Sequence, residues 1–233
     1  LRSRAAAAIE RNALDAAADV EAFAERLASC TATQLPKFPP LVLEDLGRRA
    51  RWVDEVCGIF ARGWRDDVWS SAEVVLGLAH LNRLWQRAGR VPEPVRPLDR
   101  AAVVVPPGSQ EMIGAIVKAD LLRAGGTSVR IVVEPDLDAA LGALTEAADR
   151  AIIVAGPRVG LSRDAERAAV FADRARDRFG DREVLAGGRA FGPLCAWQHR
   201  WALARARLDG EAEGERGAAE VLARRALAHL GWP

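Results

Sequence analysis

The sequence predicts two architectures in succession, a helical bundle and then an α/β domain built on a doubly wound parallel sheet. Three observations carry this. Up to about residue 90, Ala, Leu, Arg and Glu recur at helical spacing. Pro92, Pro94 and Pro97 then fall together where no helix can propagate. Beyond them, strand-length apolar runs alternate with helical stretches, the β-α-β-α pattern of a parallel sheet. The 233 residues are enough for one large or two small domains with an ordinary buried core.

In the first half, helices are predicted over residues 5–16, 20–28, 43–62 and 71–88, broken near Pro36, Pro39 and Pro40. The last of these has Ser70 or Ser71 as N-cap and Val74, Val75, Leu78, Leu81 and Leu84 at three- and four-residue spacing. The predicted division is a bundle over 1–90, a proline-rich linker over 91–99 and an α/β domain over 100–233. Strands are predicted at 101–105, 129–133, 151–155 and 183–186, with helices at 112–123, 137–147 and 164–179. A short helix around Trp197, a fifth strand near 204–208 and a closing helix over 217–230 complete the pattern.

Composition narrows the function classes. The 33 Lys+Arg balance 32 Asp+Glu to a net charge of +1, and the arginines are interspersed with acids, so direct nucleic-acid binding is not expected. Apolar stretches such as 101–107 and 151–157 are far shorter than the roughly 20 residues of a membrane span. Cys30, Cys57 and Cys195 are widely spaced, which fits neither a disulfide framework nor a zinc knuckle and points to a reducing cytoplasm. No secretory leader is read at the N-terminus. No metalloprotease motif or nucleophile with a paired base is visible, so a non-enzymatic role is expected.

In doubly wound sheets ligands bind at the carboxyl ends of the strands. The loops of interest are therefore 106–114, 156–162 and 187–192. The first, Pro106-Pro107-Gly108-Ser109-Gln110-Glu111-Met112-Ile113-Gly114, lets a ligand approach its backbone but has neither G-x-G-x-x-G spacing nor a Walker lysine. Gly187-Gly188 offers a second surface free of side chains. Each of these loops also reads as ordinary turn chemistry.

The order of bundle, linker and sheet resembles the cobalamin-binding modules of corrinoid carriers and of light- or redox-responsive bacterial regulators, with a flavodoxin-like, Rossmann-like second domain. The segment Gly63-Trp64-Arg65-Asp66-Asp67-Val68-Trp69, followed by the helix containing Gly77-Leu78, is similar to the tryptophan-acidic-acidic segment of the photosynthesis-gene antirepressors. Pro107-Gly108-Ser109-Gln110-Glu111-Met112-Ile113-Gly114 falls on that family's cobalt-ligand loop, and Gly187-Gly188 on its later Gly-Gly. The resemblance implies a tetrapyrrole (cobalamin, haem or a bilin such as biliverdin) held by Trp64, Trp69, Ser109, Gln110, Glu111, Gly114, Gly187 and Gly188, and a partner transcription regulator through which the chain acts in cytoplasmic photosynthesis-gene control as a photoreceptor or other sensor. Glu111 stands where the family has its cobalt-ligating His and Ser109 where it has Asp, while Val74-Val75 replace the Glu-His pair of the adenosylcobalamin light sensors. A cofactor-free interaction domain and a corrinoid methyl carrier remain as alternatives.

His80 and His199 are the candidate metal ligands elsewhere, against the plainer reading of helix residues making one hydrogen bond, and His229 suits a helix C-terminus. Of the seven tryptophans, Trp52 and Trp85 occupy apolar helix positions and are expected in the core, and Trp197 and Trp201 share one helix face.

Overall fold

The computed structural model describes residues 19–97, 99–109, 111–145, 149–159, 162–180 and 182–187. The predicted helices at 5–16, around Trp197 and at 217–230, the strand at 204–208, and Gln110, Gly188, Cys195, His199 and His229 lie outside these residues.

The bundle consists of α1 (helical residues 19–29), a short α2 (Pro40–Leu43), α3 (Leu46–Arg65) and α4 (Ser71–Arg87). Each boundary has a local cause. Pro39 and Pro40 open α2, and Asp45 then restarts the chain as the N-cap of α3, its side chain accepting from the Arg48 N–H at 2.5 Å. This restart places α3 three residues later than the sequence pattern predicts. At the other end, Asp66 closes α3, and Ser70 and Glu73 form a capping box that opens α4. Gly77 lets α4 lie flat on the Phe60 ring: a Cβ at that position would sit 2.4 Å from Cζ.

Phe23, Leu27, Val53, Val56, Phe60, Leu81 and Trp85 are buried in the bundle core. Trp85 is fully enclosed, while Trp52 is only partly buried and meets Phe23 edge-on at 5.9 Å.

The chain then leaves α4 without forming a further helix, as Pro92, Pro94 and Pro97 dictate, and enters four parallel strands: β1 (Asp99–Val105), β2 (Thr127–Val133), β3 (Ala151–Ala155) and β4 (Glu183–Gly187). Their order is β2-β1-β3-β4, with Val103 beside both Ile131 and Ile153. The order reverses at β1, so β1 and β3 flank the switch point of a doubly wound sheet. The connecting helices are α5 (Ile113–Ala124), α6 (Leu137–Thr145) and α7 (Ser162–Arg178). Leu141 and Leu144 of α6 and Phe171 and Ala175 of α7 cover one face with Ala102, Val104, Ile152 and Val154.

The other face is covered by α5, which is buried all round because it lies between two layers. Its small Ala115 and Ala119 rest on β1 and β3, while Ile113, Ile116, Val117 and Leu121 enter the bundle core. Bundle and sheet thus share one helix as their common wall. The turn from α5 to β2 uses Gly126 at φ +84°, a conformation that glycine adopts without penalty.

Candidate functional site

A cleft of about 390 Å³ opens between the bundle and the carboxyl ends of β1 and β3. The volume is ordinary for a small-molecule site. On the bundle side it is lined by Trp64 at the end of α3 and by Ser71, Val74, Val75, Leu78, Ala79 and Asn82 along α4. Gly108, Ser109, Glu111, Met112 and Ile113 come from the β1–α5 connection, and Pro157, Val159 and Asp164 from the β3–α7 segment. The site therefore sits at the topological switch point, where the loops on either side diverge and leave room.

Local sequence dictates the shape of the first loop. Pro107 and Gly108 occupy the central positions of a tight turn closed by the Ser109 N–H donating to Pro106 O at 2.9 Å, and Gly108 has φ +80°. The turn brings Ser109 and Glu111 back over the end of β1. Glu111 does not project freely into the cleft. Its carboxylate accepts the Arg158 N–H at 2.7 and 2.8 Å and the Val159 N–H at 2.9 Å, which ties the β1–α5 loop to the β3–α7 loop.

Beneath that tie lies an unusual set of charges. Burial pushes the Glu111 carboxyl up to about 7, against the opposing pull of the Val159 and Arg158 N–H groups and of Lys118. Lys118, on α5, is completely buried, and desolvation lowers its ammonium to about 8 although Glu111 and Cys57 favour its charge. Its Nζ reaches the Gly114 carbonyl at 3.5 Å. Arg158, also buried, pairs with Asp54 of α3, so the second loop is anchored to the bundle as well.

The predicted site residues are thus distributed in several ways. Trp64, Ser109 and Glu111 line the cleft together. Trp69 is not among the lining residues: its ring packs edge-on against Phe60 at 5.3 Å and lies over Gly63, where a Cβ would come within 2.6 Å of Cε3. Gly114 sits in the first turn of α5, underneath Arg158, and Gly187 ends β4 opposite Ala155; neither lines the cleft. His80 is buried in α4, with Nδ1 2.9 Å from Leu27 O and 3.5 Å from Cys30 Sγ, directed toward α1. Asn82, Lys118 and Arg158 were not expected from the sequence. Asn82 carried a signal nonetheless, a polar residue spaced three, four and seven positions from Ala79, Leu78 and Val75 on an apolar helix face.

Chemically the cleft has two largely apolar walls, one tryptophan and two carboxylates, both engaged: Glu111 by backbone N–H groups and Asp164 by Arg167 at 3.5 Å. Among the described residues, no group of three or more His, Cys, Asp or Glu is placed to hold a metal ion. Nor is any described helix long and apolar enough to cross a membrane.

No protein-family model and no curated protein matches the chain. Among solved structures, a cobalamin-binding protein from Desulfitobacterium hafniense DCB-2 is similar at a TM-score of 0.34 and 10% identity, over 72% of this chain and 83% of that one.

Proposed function

We propose that this chain is a non-enzymatic regulatory module which holds a flat, largely apolar ligand of the tetrapyrrole class in the cleft between bundle and sheet, and which signals through a partner transcription regulator. The observation that supports this reading best is the cleft itself. It lies at the switch point, its walls are apolar on both sides, and Trp64 supplies a surface on which a planar ring stacks.

The residues present do not fit coordination of a metal from the β1–α5 loop. A carboxylate whose oxygens already accept two backbone N–H groups is poorly placed to donate to cobalt or iron, and it is a harder donor than imidazole. The ligand is therefore held by its faces and periphery, as suits a metal-free bilin or a corrinoid that keeps its own nitrogenous base. A corrinoid methyl carrier of the kind that ligates cobalt from this loop is disfavoured for the same reason.

The test is a visible spectrum of the purified chain after incubation with hydroxocobalamin, haemin or biliverdin and desalting, in darkness and in light. A retained and shifted band is expected, with affinity reduced about tenfold in Trp64→Ala, the scale of one lost stacking contact in a buried site. Colourless protein with all three overturns the reading. It would favour instead a cofactor-free interaction surface, for which the exposed Val68 and Leu76 and the exposed Val75 on the cleft wall are the supporting observation.

A further inference from the structure

We infer that Arg167 is the anchor for a carboxylate of the ligand, and that the cleft selects tetrapyrroles whose periphery carries free carboxylates over the same rings with those groups blocked. The inference rests on the tetrapyrrole reading of the cleft and adds to it a chemical requirement.

The geometry of the rim carries it. Arg167 belongs to the second turn of α7, and its guanidinium lies across the β1–α5 turn, with Nη1 3.1 Å from where a Cβ on Gly108 would stand. A side chain at position 108 would push the guanidinium off the turn, so Gly108, at φ +80°, both shapes the turn and seats Arg167 against it. Gly108 and Asp164 line the cleft, and Arg167 touches the space over the one and pairs with the other, which sets its guanidinium at the rim. Its side chain keeps 43% of its surface exposed. Among the described residues its hydrogen-bond partner is Asp164, at 3.5 Å. That contact is long and exposed, engages one of five N–H donors and contributes little. The remaining donors form a planar fork that matches a carboxylate bidentately.

The hydrogen-bonding inventory of the walls points the same way. Both carboxylates lining the cleft are engaged: Glu111 accepts the Arg158 and Val159 N–H groups above the buried Lys118, and Asp164 faces Arg167. On the opposite wall Asn82 buries Oδ1 and leaves Nδ2, a donor, accessible. The unused capacity is donor capacity, which ligand oxygens satisfy. The apolar walls and Trp64 then hold the ring, and Arg167 holds its charged edge at the rim, where a carboxylate keeps part of its hydration and avoids the cost of full burial.

Two matched pairs of probes separate edge from ring: biliverdin and haemin, each with its propionates free and as the dimethyl ester. Affinities are measured by absorbance and by quenching of tryptophan fluorescence in the full chain. Wild-type protein is expected to bind the diacid of the ring it retains about fivefold more tightly than the ester, with the gap narrowing at high salt. Arg167→Gln is expected to close the gap by weakening the diacid and leaving the ester unchanged. Arg167→Lys, which keeps the charge and loses the fork, is expected to restore part of it. Equal affinity of wild type for diacid and ester, a preference that survives in Arg167→Gln, or retention of hydroxocobalamin alone, whose periphery is amidated, overturns the role of Arg167 while leaving the cleft a tetrapyrrole site. Failure of wild type to bind any of these ligands overturns both.

Discussion

The two ends of the wall that α4 and α5 share are built on opposite principles. At the far end from the cleft, the fully buried Asp120 of α5 gathers the Trp85 Nε1–H at 2.7 Å, Arg90 Nε at 2.8 Å and Arg123 Nη1 at 3.3 Å. Arg123 in turn donates to Glu93 and, at 2.6 Å, to Val129 O, so that helix α4, the proline-rich crossing, α5 and β2 meet at one carboxylate. Arg49 lies over the Trp85 ring at 4.7 Å and donates to Ala88 O. At the cleft end the polar groups are less well matched: Asn82 Oδ1 is unpartnered, and Glu111, although it accepts the Arg158 and Val159 N–H groups, is pushed toward its neutral form, as is Lys118. One end is bolted and the other is left open. A helix fixed at its C-terminal end and lightly held at its N-terminal end is a suitable lever for reporting what occupies the cleft.

The largest effect comes from drawing the bolt. Asp120→Ala strands the Trp85 N–H and two guanidinium groups in and around a buried site, and is expected to cost about 3–5 kcal/mol, the range for removing one partner from a buried ion pair. In a chain of this size that corresponds to a fall in Tm of roughly 10 °C. Denaturant titration measures it. A loss below 1 kcal/mol would show that the cluster does not join the two layers and would remove the contrast between the ends.

The next effect depends on pH and belongs to the cleft end. The Glu111 carboxyl is raised from its ordinary 4.5 to about 7, so between these values the folded chain holds a proton that the unfolded chain has released, and stability falls as pH rises. The Lys118 ammonium is lowered from 10.5 to about 8, so between these values the unfolded chain holds the extra proton, and stability rises with pH. The contributions of this pair therefore reach a minimum between about pH 7 and 8, with limbs of a few kcal/mol on either side. Lys118→Met is expected to flatten the alkaline limb and to stabilise the protein near pH 7.5, because a thioether fills the site without a charge to desolvate. It is also expected to move the acid limb upward, since Glu111 loses the neighbouring cation. An unchanged alkaline limb in the variant would show that Lys118 does not titrate in this way.

Most elements of the fold were legible because each is a local periodic pattern closed by its own punctuation. The Ser70 cap, the proline crossing and the strand-length runs at 101–105 and 151–155 all announce themselves within a few residues. The interior of α5 was not legible in the same way. In Ile113-Gly114-Ala115-Ile116-Val117-Lys118-Ala119-Asp120, nothing local marks the lysine and aspartate as interior, yet both are enclosed because the helix is covered on two sides. Their partners come from elsewhere in the chain: Asp120 is met by Trp85 and Arg90, 35 and 30 positions earlier. The same holds for Glu111, whose role as a strap between two loops is set by backbone N–H groups 47 and 48 positions later. The resemblance marked Trp64, and the carboxyl end of the first strand marked the loop with Ser109 and Glu111, but neither could show that the Glu111 carboxylate turns toward Arg158 and Val159. Trp69 illustrates the converse. Its position in a motif marks it for ligand contact, whereas the space above Gly63 and beside Phe60 accommodates its ring.

The smallest effect sharpens the contrast by loosening the open end alone. The Ser70 N–H and hydroxyl both donate to the Glu73 carboxylate, at 2.8 and 2.7 Å, and the Glu73 N–H donates back to Ser70 Oγ at 3.3 Å. Ser70→Ala removes the side-chain half of this box and is expected to lower Tm by roughly 2–4 °C, the scale of a lost N-cap. The location of the loss tells more than its size. Ser71, Val74 and Val75 in the first turns of α4 border the cleft, while Trp85, one residue past Leu84, is held by Asp120. Amide hydrogen exchange is therefore expected to quicken over 73–77 and to remain slow over 81–87, with ligand affinity falling a few-fold as the cleft wall frays. Uniform acceleration along the whole of α4 would mean that the helix melts as one unit, and that the bolt at Asp120 does not isolate its far end from events at the cleft.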